Sequence, residues 1–173
     1  MRHLGGALVV TMAAAMLPGC GHDEVRSTRS QPAVVSPRVW PKTVPADPAA
    51  ANAVLMRAIS LVGTAYRYGG NTPEGGFDCS GLVNYVYRDM LDLRLPRTSR
   101  DLAAFQGPRI VPDRLTAADL VFFGSGGQVS HVGIYVGEGR FVHAPSSGGT
   151  VRLDRLDGPY WRDHYSGAKR VLN

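Results

Sequence analysis

The spacing of apolar residues predicts helices in the first part of the globular region. Between residues 49 and 62 apolar side chains recur at helical spacing, and Gly63 follows at the position of a helix end. A second helix is predicted from Cys79 to Leu91, with Asp78 placed to cap its N-terminus. Residues 94–118 are loop-rich, with a short helix predicted over Ser99 to Phe105.

After Asp119 the pattern changes from helical spacing to short apolar runs. Strands are predicted at Leu120–Phe123, His131–Val136, Phe141–Ala144 and Val151–Leu153, with glycine or serine clusters between them. Helices followed by an antiparallel sheet predict a single α+β domain over residues 49–173.

The turn between the second and third strands sets the register of a hairpin. A loop of residues 137–139 pairs Val136 with Arg140, and its type I turn closes on a left-handed residue, which we expect to be Gly139. A two-residue loop would instead pair Gly137 with Arg140. We predict the longer loop.

This register decides where two histidines lie. With the longer loop, His143 falls opposite Gly133 and becomes the diagonal neighbour of His131 on the same face of the sheet. With the shorter loop, His143 would oppose Ile134 and point to the other face. We therefore predict that ring nitrogens of the two histidines lie near hydrogen-bonding distance.

The start of the chain has the pattern of an export signal. Arg2 and His3 precede the apolar run Leu4–Leu17, which is too short to span a bilayer. The following residues 17–20, Leu-Pro-Gly-Cys, resemble the lipobox of bacterial lipoproteins, so we interpret residues 1–19 as a signal peptide and Cys20 as a lipid anchor. The alternative is ordinary cleavage near residues 13–15, which leaves Cys20 as a thiol.

Proline and charge complete the outline of the chain. Residues 20–48 contain five prolines and no apolar periodicity, which predicts an extended linker between the lipid and the domain. The formal net charge is +5, but the basic residues are spread singly, so we expect no nucleic-acid partner. A mildly basic surface favours an anionic polymer or anionic lipid headgroups, and is also typical of an ordinary solvated surface.

A lipid on Cys20 would leave Cys79 as an unpaired cysteine in an exported protein, which indicates a reactive thiol. At a helix N-terminus the helix dipole and the free N–H groups favour a thiolate, and the same groups can bind an oxyanion. A buried structural cysteine is the alternative.

Histidines favour the reactive interpretation. His131 and His143 share one hairpin, and together with Cys79 they supply a nucleophile, a base and an orienting group. Two histidines and a cysteine can also hold zinc, but the paired spacings typical of such sites are absent, and we predict no metal. His164 is interpreted as a surface residue.

Five separated segments resemble one known family in order and spacing. They are Tyr66–Gly70, Phe77–Gly81, Asp119–Phe123, His131–Tyr135 and Phe141–Ala144. The chain is similar, from about residue 52 to residue 172, to the NlpC family of papain-like bacterial cell-wall cysteine peptidases. This resemblance implies a papain-like NlpC fold, with N-terminal helices packed on a C-terminal antiparallel sheet.

The resemblance also implies roles for individual residues. Cys79 corresponds to the nucleophile, His131 to the base and His143 to the polar third residue. Tyr66 matches a tyrosine whose hydroxyl supports the oxyanion beside the thiol.

Three further positions match the family. Asp78 and Ser80 correspond to residues that in some relatives recognise a free amine on the substrate, and both also suit a helix start. Arg97 matches a frequent family motif without an assigned role.

The implied activity is hydrolysis of peptidoglycan stem peptides without a cofactor. The bond lies next to diaminopimelate, either in a D-Ala–diaminopimelate cross-link or after γ-D-Glu. We expect a monomer that is lipid-anchored through Cys20 on the periplasmic face of the outer membrane. A non-catalytic envelope lipoprotein that binds wall peptides is the main alternative, and an acyltransferase on the same fold is another.

Overall fold

The computed structural model describes residues 38–105, 107–147 and 149–172 of the 173-residue chain. The predicted signal peptide, Cys20 and most of the predicted linker lie outside the described residues. In chain order the helices and strands are α1 (Pro48–Ser60), β1 (Asn71–Thr72), β2 (Gly76–Phe77), α2 (Cys79–Leu91), α3 (Ser99–Ala104), a 3-10 turn (Pro112–Arg114), β3 (Leu120–Ser125), β4 (Gln128–Gly137), β5 (Arg140–His143), β6 (Arg152–Arg155), α4 (Pro159–His164) and β7 (Tyr165–Lys169). In this part of the chain, no helix is long and apolar enough to cross a membrane.

The helices begin where side chains cap their free N–H groups. Asp47 accepts a hydrogen bond from the Ala50 N–H at 3.0 Å, and α1 starts at the intervening Pro48. Asp78 accepts from the Gly81 N–H at 2.6 Å, so α2 starts at Cys79 and has the predicted bounds.

Five antiparallel strands form the main sheet in the order β6-β5-β4-β3-β7. Its helix-facing side forms one apolar core with α1 and α2, and its other side forms a second core with Leu115, Tyr135, Phe141 and Leu156. This arrangement confirms the predicted α+β class. The sequence pattern did not predict β7 or α4, because β7 contains a single buried residue, Ala168, and α4 contains none.

The predicted three-residue hairpin loop is wrong. Gly137 pairs with Arg140, so the loop consists of Glu138 and Gly139, whose φ angles are 52° and 72°. Two left-handed residues form a tight turn whose twist matches that of the flanking strands. The expected positive φ at Gly139 is confirmed.

The predicted pairing of β4 with β5 is nevertheless correct below the turn, because one unpaired residue in β4 compensates for the shorter loop. The pairing shifts between Tyr135 and Gly137, which leaves Val136 as a bulge, and Ile134 pairs with Val142. One residue further along each strand, His143 lies beside Gly133, on the face of the sheet away from the helices.

Packing also extends N-terminally of residue 49. The Trp40 ring lies 6.4 Å from the Tyr135 ring and covers the hairpin turn. A Cβ atom on Gly139 would lie only 2.0 Å from Trp40 Nε1, so glycine is required there for the indole to pack. Trp40, which falls in the predicted linker, thus packs on the domain.

Candidate active site

Cys79 is the first residue of α2 and is half-buried. Its thiol lies close to the backbone N–H of Val132, the residue after His131, and to the N–H groups of Ser80 and Cys79 itself. Burial raises the pKa of the thiol above its ordinary value, and these N–H groups act in the opposite direction without outweighing burial. The helix start therefore supplies the expected donors, but the resting site favours the neutral thiol.

The two predicted histidines are brought together by the hairpin. His131 Nε2 lies 2.9 Å from His143 Nδ1, which confirms the predicted proximity. A Cβ atom on Gly133 would lie 3.2 Å from the His143 Cβ and 2.6 Å from Phe141 Cδ2. Glycine at this position therefore gives His143 the space to reach His131.

Asp154 extends the hydrogen-bonded pair of histidines to a series of three residues, and the sequence analysis missed it. Its Oδ2 atom lies 3.1 Å from His143 Nε2 and accepts hydrogen bonds from Trp161 Nε1 at 2.8 Å and from Arg152 at 3.0 and 3.1 Å. The available sequence signal was the alternation of Arg152 and Asp154, which places both on one face of a strand. That signal does not say which neighbouring strand the face meets.

These contacts fix the protons of both imidazoles. Burial raises the pKa of Asp154, but the hydrogen bonds from Trp161, Arg152 and His143 outweigh burial and hold the pKa below its ordinary value. The ionised carboxylate accepts the Nε2–H of His143, so His143 Nδ1 accepts from His131 Nε2–H. His131 Nδ1 is then the unprotonated nitrogen that can take a proton from a thiol.

Aromatic side chains surround the two imidazoles, of which His143 is fully buried and His131 is partly exposed. Trp161 stacks on His131 at 5.4 Å and meets His143 edge-on at 4.7 Å, while Phe123 and Phe141 contact the other sides. Burial lowers the pKa of His131 to about 3 and that of His143 to about 4. Both imidazoles are therefore neutral at neutral pH, as a base must be.

Tyr66 lies near Cys79, as the family resemblance implies. Burial raises the pKa of its phenol, and the nearby Cys79 and Asp78 raise it further. The Tyr66 backbone also bridges to Phe77, which anchors it beside the start of α2. A protonated phenol in this position can donate a hydrogen bond to an oxyanion.

The Asp78 carboxylate is occupied by protein donors. Besides capping α2, it accepts from the Gly69 N–H at 3.0 Å and from both terminal nitrogens of Arg97 at 2.8 and 2.9 Å. Arg97 also donates to Ser80 Oγ at 2.7 Å. Arg97, to which the sequence analysis assigned no role, therefore neutralises the pair predicted to recognise an amine, and that recognition stays a prediction.

A cleft of about 470 Å³ borders His131. Its wall includes His131, Arg152, Tyr160, Trp161 and His164. His164, interpreted from the sequence as a surface residue, is half-buried and stacks on Tyr160 at 4.2 Å. Among the described residues, no group of three or more histidine, cysteine, aspartate or glutamate side chains is arranged to hold a metal ion.

A helix that presents a cysteine at its N-terminus against a sheet that presents two histidines defines an α+β protein with a thiol–imidazole site. Residues 63–170 match the model of the NlpC/P60 family, and the chain belongs to this family.

Two curated relatives illustrate the match. The chain is 39% identical over 126 residues to the murein DD-endopeptidase MepH of Escherichia coli K12, covering 71% of this chain and 46% of the relative. It is 38% identical over 135 residues to the gamma-DL-glutamyl hydrolase of Bacillus subtilis 168, covering 76% of this chain and 32% of the relative. The chain thus spans less than half the length of either relative.

The fold also matches solved structures. One is RipD of Mycobacterium tuberculosis, described as a non-catalytic NlpC/p60 domain protein adapted to peptidoglycan binding. It has a TM-score of 0.59 and 27% identity, covering 71% of this chain and 98% of RipD. The fold alone therefore does not establish catalysis, and whether this chain is catalytic must be argued from its site residues.

The two buried imidazoles should make the fold less stable in acid. Both have folded pKa values, about 3 and about 4, below the ordinary value of 6.5. Between these values the unfolded chain binds more protons, so the free energy of unfolding falls as the pH decreases. We expect urea unfolding to show a loss on the order of 2 kcal/mol per imidazole between pH 7 and pH 4.5.

The variant His143→Gln removes one of these groups and should reduce the pH dependence by about half. Asp78 and Asp154 have pKa values lowered from 3.8, so their contribution to the free energy of unfolding is lost only at lower pH. They therefore add little to the change between pH 7 and pH 4.5. An unchanged pH dependence in the variant would contradict a neutral, buried His143.

Proposed function

We propose that this protein is a cysteine endopeptidase of peptidoglycan stem peptides, with Cys79 as nucleophile, His131 as base and His143 as the orienting residue. One observation carries the proposal: the series Asp154–His143–His131 is hydrogen-bonded, its central imidazole is fully buried, and it ends next to Val132, whose N–H reaches the Cys79 thiol. Such a series has no evident use in a protein that only binds peptides.

The tautomers give the direction of each proton transfer. His131 Nδ1 takes the thiol proton as the sulfur attacks the carbonyl carbon, and donors at the start of α2 with the Tyr66 hydroxyl stabilise the oxyanion. The intermediate collapses to a thioester when His131 gives the proton to the leaving nitrogen. Water, deprotonated by His131, then hydrolyses the thioester, which releases a carboxylic acid and restores the thiol.

The substrate class is supported by the family. The two curated relatives act, by their names, on murein DD bonds and on gamma-DL-glutamyl bonds. We propose that this chain cuts a bond next to diaminopimelate, either the D-Ala–diaminopimelate cross-link or the γ-D-Glu–diaminopimelate bond. The reaction as derived uses side chains of the protein and water.

The proposed activity is tested on isolated murein fragments. Wild-type protein should convert them to smaller fragments, and mass spectrometry of the new ends identifies the bond. Cys79→Ala should abolish conversion, because the thioester cannot form. Cys79→Ala protein that still cleaves would refute the nucleophile.

The same experiment separates the second candidate, a non-catalytic wall-peptide binder, which the fold of RipD favours. Binding of the fragments without conversion by the wild-type protein would establish that candidate instead.

Asp154 acts, in this proposal, as a positioning residue for His143. In Asp154→Asn an amide can donate to His143 Nε2 and so stabilise the wrong tautomer, which should lower kcat by about a hundredfold or more with little change in KM. Asp154 also raises the pKa of His131 and His143, so the acidic limb of the kcat profile should move to lower pH.

A matched control is Asp157→Asn, which removes a carboxylate bound to Arg155 on the same segment. This variant should keep wild-type kcat. For His143 itself, Asn or Gln should retain much more activity than Ala, because an orienting group needs only to share a hydrogen bond. Wild-type activity of His143→Ala would remove this residue from the mechanism.

We also propose that Cys20 carries the lipid that holds the enzyme at the periplasmic face of the outer membrane. The support is the lipobox pattern alone, since Cys20 lies outside the described residues. Cys20→Ser should be recovered in the soluble periplasmic fraction with unchanged activity on isolated fragments. A Cys20→Ser protein that still fractionates with membranes would mean that something other than lipid retains it.

A further inference from the structure

The cleft beside His131 lies where the departing half of a substrate must go. His131 borders the cleft, and Cys79 does not. After attack, the acyl half of the substrate is bound to the Cys79 sulfur, whereas the leaving amine receives its proton from His131. The leaving fragment therefore occupies the His131 side of the site, where the cleft is found. This step rests on the proposed function.

The charge of the cleft indicates what that fragment carries. The basic side chains that line it are those of His131, Arg152 and His164, and no carboxylate lines it within the described part of the chain. Asp154 offsets the charge of Arg152, but it lies outside the lining and its Oδ2 already faces His143, Trp161 and Arg152. The cleft therefore presents the Arg152 guanidinium with no carboxylate in the lining to compete for it.

Asp154 holds the Arg152 guanidinium in place and leaves one of its nitrogens available to a ligand. Its Nε and Nη2 atoms donate to Asp154, while Nη1 makes no hydrogen bond to any described residue. The side chain is 41% exposed. A guanidinium fixed by one carboxylate loses little freedom when it binds a second, and its planar fork suits a carboxylate ligand.

We propose that the cleft is the leaving-group subsite and that Arg152 binds a free carboxylate next to the leaving amine. The substrate is then a peptide whose leaving residue has a free α-carboxylate. In a D-Ala–diaminopimelate cross-link the leaving amine stands on a carbon that bears such a carboxylate. After γ-D-Glu the corresponding carboxyl joins the next residue when the stem continues, so the subsite favours the cross-link.

The test uses two cross-linked fragments that differ only at the leaving residue, one with the free carboxylate and one with its primary amide. Wild-type protein should cleave the carboxylate with about tenfold higher kcat/KM, mainly through KM, as expected for a hydrogen bond to a charged group. Arg152→Gln should bring this ratio close to one, and the ratio rather than the absolute rate is the readout, because Arg152 also donates to Asp154 behind His143.

The control variant is Arg155→Gln. Arg155 is on the same strand and binds Asp157 through two hydrogen bonds, as Arg152 binds Asp154, but it does not line the cleft. It should keep the wild-type preference for the carboxylate. Equal wild-type rates on the two fragments would overturn the proposal, as would an Arg152→Gln variant that slows both fragments equally.

Binding tests the subsite separately from catalysis. If neither fragment is cleaved, the proposed function fails, but the subsite can still be tested. For this test the protein is titrated with the free leaving fragment, and binding is followed by NMR. The carboxylate form should shift the Arg152 side chain and the amides of residues 146–147, and these shifts should be lost in Arg152→Gln. No shift, or the same shift with the amide form, would overturn the subsite.

Discussion

The hydrogen bond between His131 and His143 depends on one feature of the backbone, the pairing of β4 with β5. The tight turn alone would give a register that points His143 away from His131. The bulge at Val136 shifts the pairing by one residue, so that both histidines lie on the same face. Gly133 leaves the space between them, and the remaining parts of the site are built around this pair.

Burial acts in opposite directions on the two halves of the site. It keeps both imidazoles neutral, which suits a base, and it also keeps the Cys79 thiol protonated. The backbone donors at the start of α2 offset only part of the second effect. A neutral thiol and a neutral imidazole form the starting state that the proposed transfer of the thiol proton to His131 requires.

Two arginine–aspartate pairs flank Cys79 and the two histidines. Arg97 binds Asp78 next to Cys79, and Arg152 binds Asp154 behind His143. In each pair the aspartate performs a local task, capping α2 or orienting His143, while the arginine is held with part of its surface exposed. Each aspartate thus fixes the orientation of a partly exposed guanidinium.

The sequence by itself determined the elements that depend on local spacing. Apolar periodicity and the Asp78 cap predicted α2, and the unpaired Cys79 with two hairpin histidines predicted the chemistry of the site. Neither β7 nor the bulge at Val136 could be predicted, because one has a single buried residue and the other depends on pairing with a distant strand. Tertiary structure alone brought Asp154, Trp161 and Arg152 to the histidines. Those contacts join β6 and α4 to β5, and spacing along a chain carries no information about which strands become neighbours.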